Sequence, residues 1–91
     1  MKKKSKPKVT VRFYTILREK VGVDRTEVEA STVQEVIDVL KQKFGDKFTS
    51  TLCDNSGKVR DYYIFILDGK TIDHDKFKQT KLKDGYELHI F

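Results

Sequence analysis

The only run of side chains that could hold a metal or pass a proton is Asp73-His74-Asp75. Three consecutive residues on one loop cannot easily converge on a single ion, and no second cluster lies elsewhere to complete a site, so they read as solvated loop. Cys53 is the one cysteine, and Asp54 and Asn55 beside it are the opposite of the positive setting that activates a thiolate. A half-buried structural thiol is the expectation. His89 falls on the outward face of the last strand with no orienting partner nearby in sequence, which suits a surface or interface residue better than a catalyst. The glycines at 22, 45, 57, 69 and 85 are each isolated at turns, and neither G-x-x-x-x-G-K-[ST] nor G-x-G-x-x-G occurs. No catalytic residue, metal site or cofactor is expected, which leaves the chemistry of a surface.

The surface that stands out is built by strands. "VTVRFYTIL" alternates Val9, Val11 and Phe13 against Thr10, Arg12 and Tyr14, and "YELHIF" alternates Tyr86, Leu88 and Ile90 against Glu87, His89 and Phe91. "RTEVEA" returns as the second arm of a hairpin, and "YYIFILDGK" reads as a strand apolar on both faces, central in the sheet, ending in an Asp68-Gly69 turn. At "STVQEVIDVLKQKFG" the period changes to 3.6, with Val33, Val36, Ile37, Leu40 and Phe44 on one side of an amphipathic helix. Thr32 and Glu35 form a capping box at its start, and Gly45 offers its stop. "DKFTSTLCDNSGKVRD" is polar and turn-rich and reads as loop. One main helix must then cross one face of a mixed sheet and bury Val9, Val11, Phe13, Leu88 and Ile90. The opposite face would carry Tyr14, Phe91 and one side of residues 62–67, rimmed by Arg12, Glu87 and His89. An apolar patch of that kind marks a partner site unless loops cover it.

The chain of 91 residues suits one domain. Its single cysteine excludes a disulfide framework and fits a reducing, cytoplasmic setting. No run reaches the roughly 18 apolar residues of a membrane span. The formal net charge of +5 resolves into two parts: five lysines among residues 1–8, and 14 basic against 14 acidic residues from Val9 to Phe91. Residues 1–8 read as a disordered solubilising tail ahead of a domain spanning 9–91. Without an aromatic for stacking or a helical pattern, that tail argues against nucleic acid as the partner, and a stand-alone interaction module associated with nucleic acid through these lysines is the alternative reading.

In order and spacing, "VTVRFYTILREKVG", "TEVEASTVQEVIDVLKQKFG", "YYIFILDGKTI" and "TKLKDGYELHIF" resemble the ubiquitin-like sulfur carriers MoaD, the small subunit of molybdopterin synthase, and ThiS. The resemblance implies an α+β fold of the ubiquitin-like β-grasp type, a mixed sheet of four to five strands wrapped around one main helix. It also implies a carrier that is not itself an enzyme and works in molybdenum cofactor biosynthesis. Its partners would be a molybdopterin synthase large-subunit-like protein and a ubiquitin-activating-like adenylyltransferase, the free chain being a monomer or weak dimer. Such carriers end in a flexible Gly-Gly tail on which a thiocarboxylate forms. No such tail follows Phe91 here, which implies either a carrier domain whose tail has been removed or a relative that acts only by binding. The partner-binding residues implied are Tyr14, Arg12, Glu87, His89 and Phe91.

Overall fold

A computed structural model describes residues 6–91. Strand β1 (Lys8–Phe13) is followed by helix α1 (Thr15–Val21), β2 (Arg25–Glu29), α2 (Val33–Phe44), α3 (Asp46–Leu52), β3 (Phe65–Leu67), β4 (Lys70–Ile72), a 3-10 turn (His74–Lys76) and β5 (Glu87–Ile90). The five strands form one mixed sheet in the order β2-β1-β5-β3-β4. β1 and β5 run parallel at its centre, and the other neighbours are antiparallel. This is the β-grasp arrangement, with α2 packed across one face.

The alternation in each strand dictates that packing. Val9, Val11, Phe13, Leu88, Ile90, Phe65 and Val28 are buried together with Val33, Val36, Ile37 and Leu40 of α2. The start of α2 is fixed by side chains: the Glu35 amide donates to Thr32 Oγ1 at 3.2 Å, and Glu35 Oε1 accepts from the Ser31 amide at 2.7 Å. The reciprocal bond of the capping box thus reaches Ser31 rather than Thr32 itself. That amide, aided by Lys6, holds the Glu35 carboxyl below its ordinary value. Gly45, at φ 72°, ends α2 in a conformation that side chains disfavour. Asp68 and Gly69 both have positive φ, as a two-residue type I′ hairpin between β3 and β4 requires.

Three expectations are corrected. The stretch 15–21, expected as the end of the first strand and the loop of its hairpin, and the expected loop at 46–52 are both helices, each carrying one buried or half-buried apolar pair four residues apart, Leu17 with Val21 and Phe48 with Leu52. A single i, i+4 pair is too little periodicity to stand out from flanking strand or polar sequence. The strand expected at 62–67 is shorter, Phe65–Leu67, and the middle of the sheet belongs to β5. Its apolar residues do not all go inside: Phe65 and Leu67 are buried, whereas Ile64 is 48% exposed, because no layer of the described residues covers the far side of the sheet, and Tyr62, in the turn before it, is 69% exposed.

The expectation for residues 1–8 lies outside the described residues as far as Ser5. From Lys6 onward the chain is placed. The Pro7 carbonyl accepts from the Ala30 amide at 3.0 Å, and Lys6 pairs with Glu35 at 3.0 Å. Among the described residues no helix is long and apolar enough to cross a membrane.

Candidate partner-binding face

The sheet face turned away from α2 is assembled by register. Arg12 lies opposite His89, and Thr10 opposite Glu87, where β1 meets β5. Ile66 lies opposite His89 where β5 meets β3. Beyond β5, Phe91 and Ile64 exchange both backbone hydrogen bonds, at 2.9 and 3.2 Å, which extends the ladder to the end of the described chain. Just past β1 the backbone turns sharply into α1. Thr15, a β-branched residue at φ 50°, holds a strained left-handed conformation there, with its hydroxyl donating to the Tyr14 carbonyl at 2.8 Å.

That turn sets Tyr14 flat against Phe91. Their ring centroids are 4.4 Å apart and the planes lie within 6°. The Tyr14 hydroxyl meets His89 Nδ1 at 2.8 Å, and His89 Nε2 lies 3.4 Å from Glu87 Oε1. The hydroxyl donating to Nδ1, with an Nε2–H facing the carboxylate, satisfies every group in the neutral imidazole. Glu87 Oε2 is also 3.7 Å from Arg12 Nε. The five residues singled out from the sequence therefore form one connected chain of contacts, Phe91, Tyr14, His89, Glu87 and Arg12. Ile64, bonded to Phe91 and 48% exposed, extends its apolar end. Arg25, which register places opposite Arg12, belongs to the same face and was not legible without that register. His89 is half-buried by these contacts rather than a bare surface imidazole.

The remaining candidates have structural roles. His74 Nε2 lies 2.7 Å from the Tyr63 carbonyl, and its ring packs against Phe65 and Phe77, so it is half-buried and not a solvated loop residue. Cys53 is 2% exposed, deeper than half-buried, because its backbone bridges to Val59 beside the core. No group of three potential metal ligands occurs among the described residues. A shallow groove of about 280 Å³ lies on the helical side between α2 and the 57–61 loop, floored by Ile37, Val59 and Phe77.

The fold is shared with several solved proteins. SAMP1 from Haloferax volcanii superposes with a TM-score of 0.81 at 18% identity, covering 92% of each chain. A chain of the BexX/CysO complex from Amycolatopsis orientalis gives 0.75 at 25% identity, over 91% of this chain and 92% of that one. The Pyrococcus furiosus protein described as molybdopterin converting factor, subunit 1, gives 0.67 at 24%, over 93% and 95%. A search of curated proteins finds no match. The ThiS family model, however, matches residues 11–91, nearly the whole domain and all five residues of the connected face. The chain belongs to the ThiS family, the MoaD-like and ThiS-like ubiquitin-fold sulfur carriers.

Proposed function

We propose that this protein serves in the cytoplasm as the carrier or binding subunit of a sulfur-transfer system of the molybdenum cofactor type. It docks through the open sheet face onto a molybdopterin synthase large-subunit-like protein and onto a ubiquitin-activating-like adenylyltransferase. The observation that carries this reading is the stacked Tyr14–Phe91 pair. It stands where the two central strands end, with exposed Ile64 hydrogen-bonded to Phe91, and Phe91 is itself 44% exposed. Aromatic groups held rigidly at a surface supply contact area at little entropic cost, which is the property of a binding anchor. The similarity to the P. furiosus protein supports the choice of pathway. The reading concerns the docking surface and is independent of what chain follows Phe91.

The test is a calorimetric titration of the chain with the large-subunit-like protein of its own organism. Tyr14→Asp and Phe91→Ala are each expected to weaken binding by about 1 kcal/mol or more, roughly fivefold, without unfolding the domain. Unchanged affinity in both variants removes this face from the reading.

A further inference from the structure

The open face is ordered in bands that cross the strands. Arg25 of β2 lies opposite Arg12 of β1, which lies opposite His89 of β5, so three strands each give one basic residue type to a single row. The next outward row toward the start of β1 holds Glu27, Thr10 and Glu87. On the other side of the basic row stands the aromatic end, Tyr14 with Phe91, and Ile64 bonded to Phe91. Outward positions recur every second residue, so successive bands are about 7 Å apart.

The middle band is only partly balanced by the protein itself. Like charges directly opposite each other on neighbouring strands repel, and Arg12 and Arg25 are such a pair. Glu87 attends both Arg12 and His89, at 3.7 and 3.4 Å. Arg25 is exposed and has no ion pair among the described residues. A carboxylate arriving between the two guanidiniums relieves their repulsion and finds planar donors suited to it, whereas an ammonium arriving there is repelled.

We propose that this face reads its partner protein by the order of side chains along one segment. An apolar side chain sits against Tyr14 and Phe91, a carboxylate about 7 Å further on sits between Arg12 and Arg25, and a cation one step beyond faces Glu27 and Glu87. The proposal rests on the docking reading above and adds the chemistry of the occupant. An extended strand presents alternate residues at the same spacing as the bands, so a strand of the pattern apolar, spacer, acid, spacer, base matches all three.

The probes are two acetylated and amidated pentapeptides, Phe-Thr-Glu-Thr-Lys and the charge-swapped Phe-Thr-Lys-Thr-Glu. Each is titrated at low salt into the full chain labelled with nitrogen-15. The first is expected to bind about threefold tighter, the scale of one or two exposed ion pairs, and to shift the amides of Arg12, Arg25 and His89. The preference is expected to disappear in the double variant Arg12→Glu, Arg25→Glu, and separately in Glu27→Lys, Glu87→Lys, and to invert when all four changes are combined. Equal binding of the two peptides to the unaltered chain, or binding of neither, overturns the proposal. Peptides that are not discriminated while Tyr14→Asp still weakens the large-subunit complex leave docking standing and remove the bands. A clear peptide preference with no binding to the large subunit keeps the bands and removes the pathway.

Discussion

Toward α2 the sheet presents Val9, Val11, Phe13, Leu88 and Ile90, none more than 1% exposed, while the interleaved Thr10, Arg12, Glu87 and His89, with Tyr14 and Phe91 beyond the strand ends, look outward. The two sets share the same backbone and the same ladder hydrogen bonds. They differ in what a side chain is required to do. The inward set must fill a close-packed space whose shape the helices fix, so volume and branching decide each position. The outward set need only tolerate an extended strand, and threonine or a charge would serve at every position. Tyr14, Ile64 and Phe91 are therefore surplus to the fold. Apolar groups that the fold does not need, held rigidly at one end of an otherwise charged face, are evidence for a partner in a way that the core residues are not.

Truncating one aromatic residue on each side of the sheet breaks or confirms this division most directly. Phe13 is buried and packs edge-on against Phe44 and Phe48. Phe13→Ala is expected to cost about 3–5 kcal/mol in urea unfolding, a large share of the roughly 5–15 kcal/mol that holds such a domain. Phe91→Ala is expected to cost under about 1 kcal/mol, because the ring already faces water and loses mainly its stacking on Tyr14. Comparable losses would mean that the outward aromatics are structural after all.

A smaller effect comes from the lid of the covered face. Thr32→Ala removes the oxygen that accepts from the Glu35 amide and is expected to lower stability by about 1 kcal/mol while leaving partner affinity unchanged. Glu35 adds a pH signature. Its folded carboxyl titrates below its ordinary value of 4.5, chiefly through the Ser31 amide and then Lys6. The stabilisation is fully present above the unfolded value and lost as pH falls through the folded one. Urea midpoints between about pH 5 and 3 should accordingly fall more steeply in the natural protein than in Glu35→Gln. The difference will be small, since the pair with Lys6 is exposed to solvent. Parallel pH curves would show that the bond to Ser31 contributes nothing net.

Much of this division was legible before any coordinates. Val9 to Phe13 and Glu87 to Phe91 alternate so cleanly that inward and outward residues separate on sight, and α2 announces itself through Thr32, Glu35 and a long apolar stripe. The candidate face followed, because alternation assigns Tyr14, Arg12, Glu87, His89 and Phe91 to one side. Contacts that depend on pairing were not legible. Arg25 joins Arg12 only through the β1–β2 register, and the Tyr14–His89 bond needs β1 and β5 to lie side by side and parallel. Helices α1 and α3 escaped for a different reason: seven residues with one apolar pair each have little helical signal of their own. They are stabilised by docking against one another and the core, a tertiary effect that local pattern does not contain.

Within the open face, the bond between Tyr14 and His89 offers the finest test. Both groups are only half-buried, so water can replace the lost partner, and His89→Ala should change stability by no more than about 0.5 kcal/mol. Its effect on docking should be larger than on folding. Without the imidazole, the Tyr14 hydroxyl has no anchor at 2.8 Å and the ring is freer to leave its stack on Phe91, which must then be restored when the partner binds. A double-mutant cycle of His89→Ala with Tyr14→Phe separates this from the loss of the Glu87 contact, because Tyr14→Phe keeps the stack and removes only the hydroxyl. If His89 acts by positioning Tyr14, the two changes weaken partner binding by about two- to threefold each and no further in combination. Fully additive losses would mean that His89 touches the partner itself and does not act by supporting the aromatic pair.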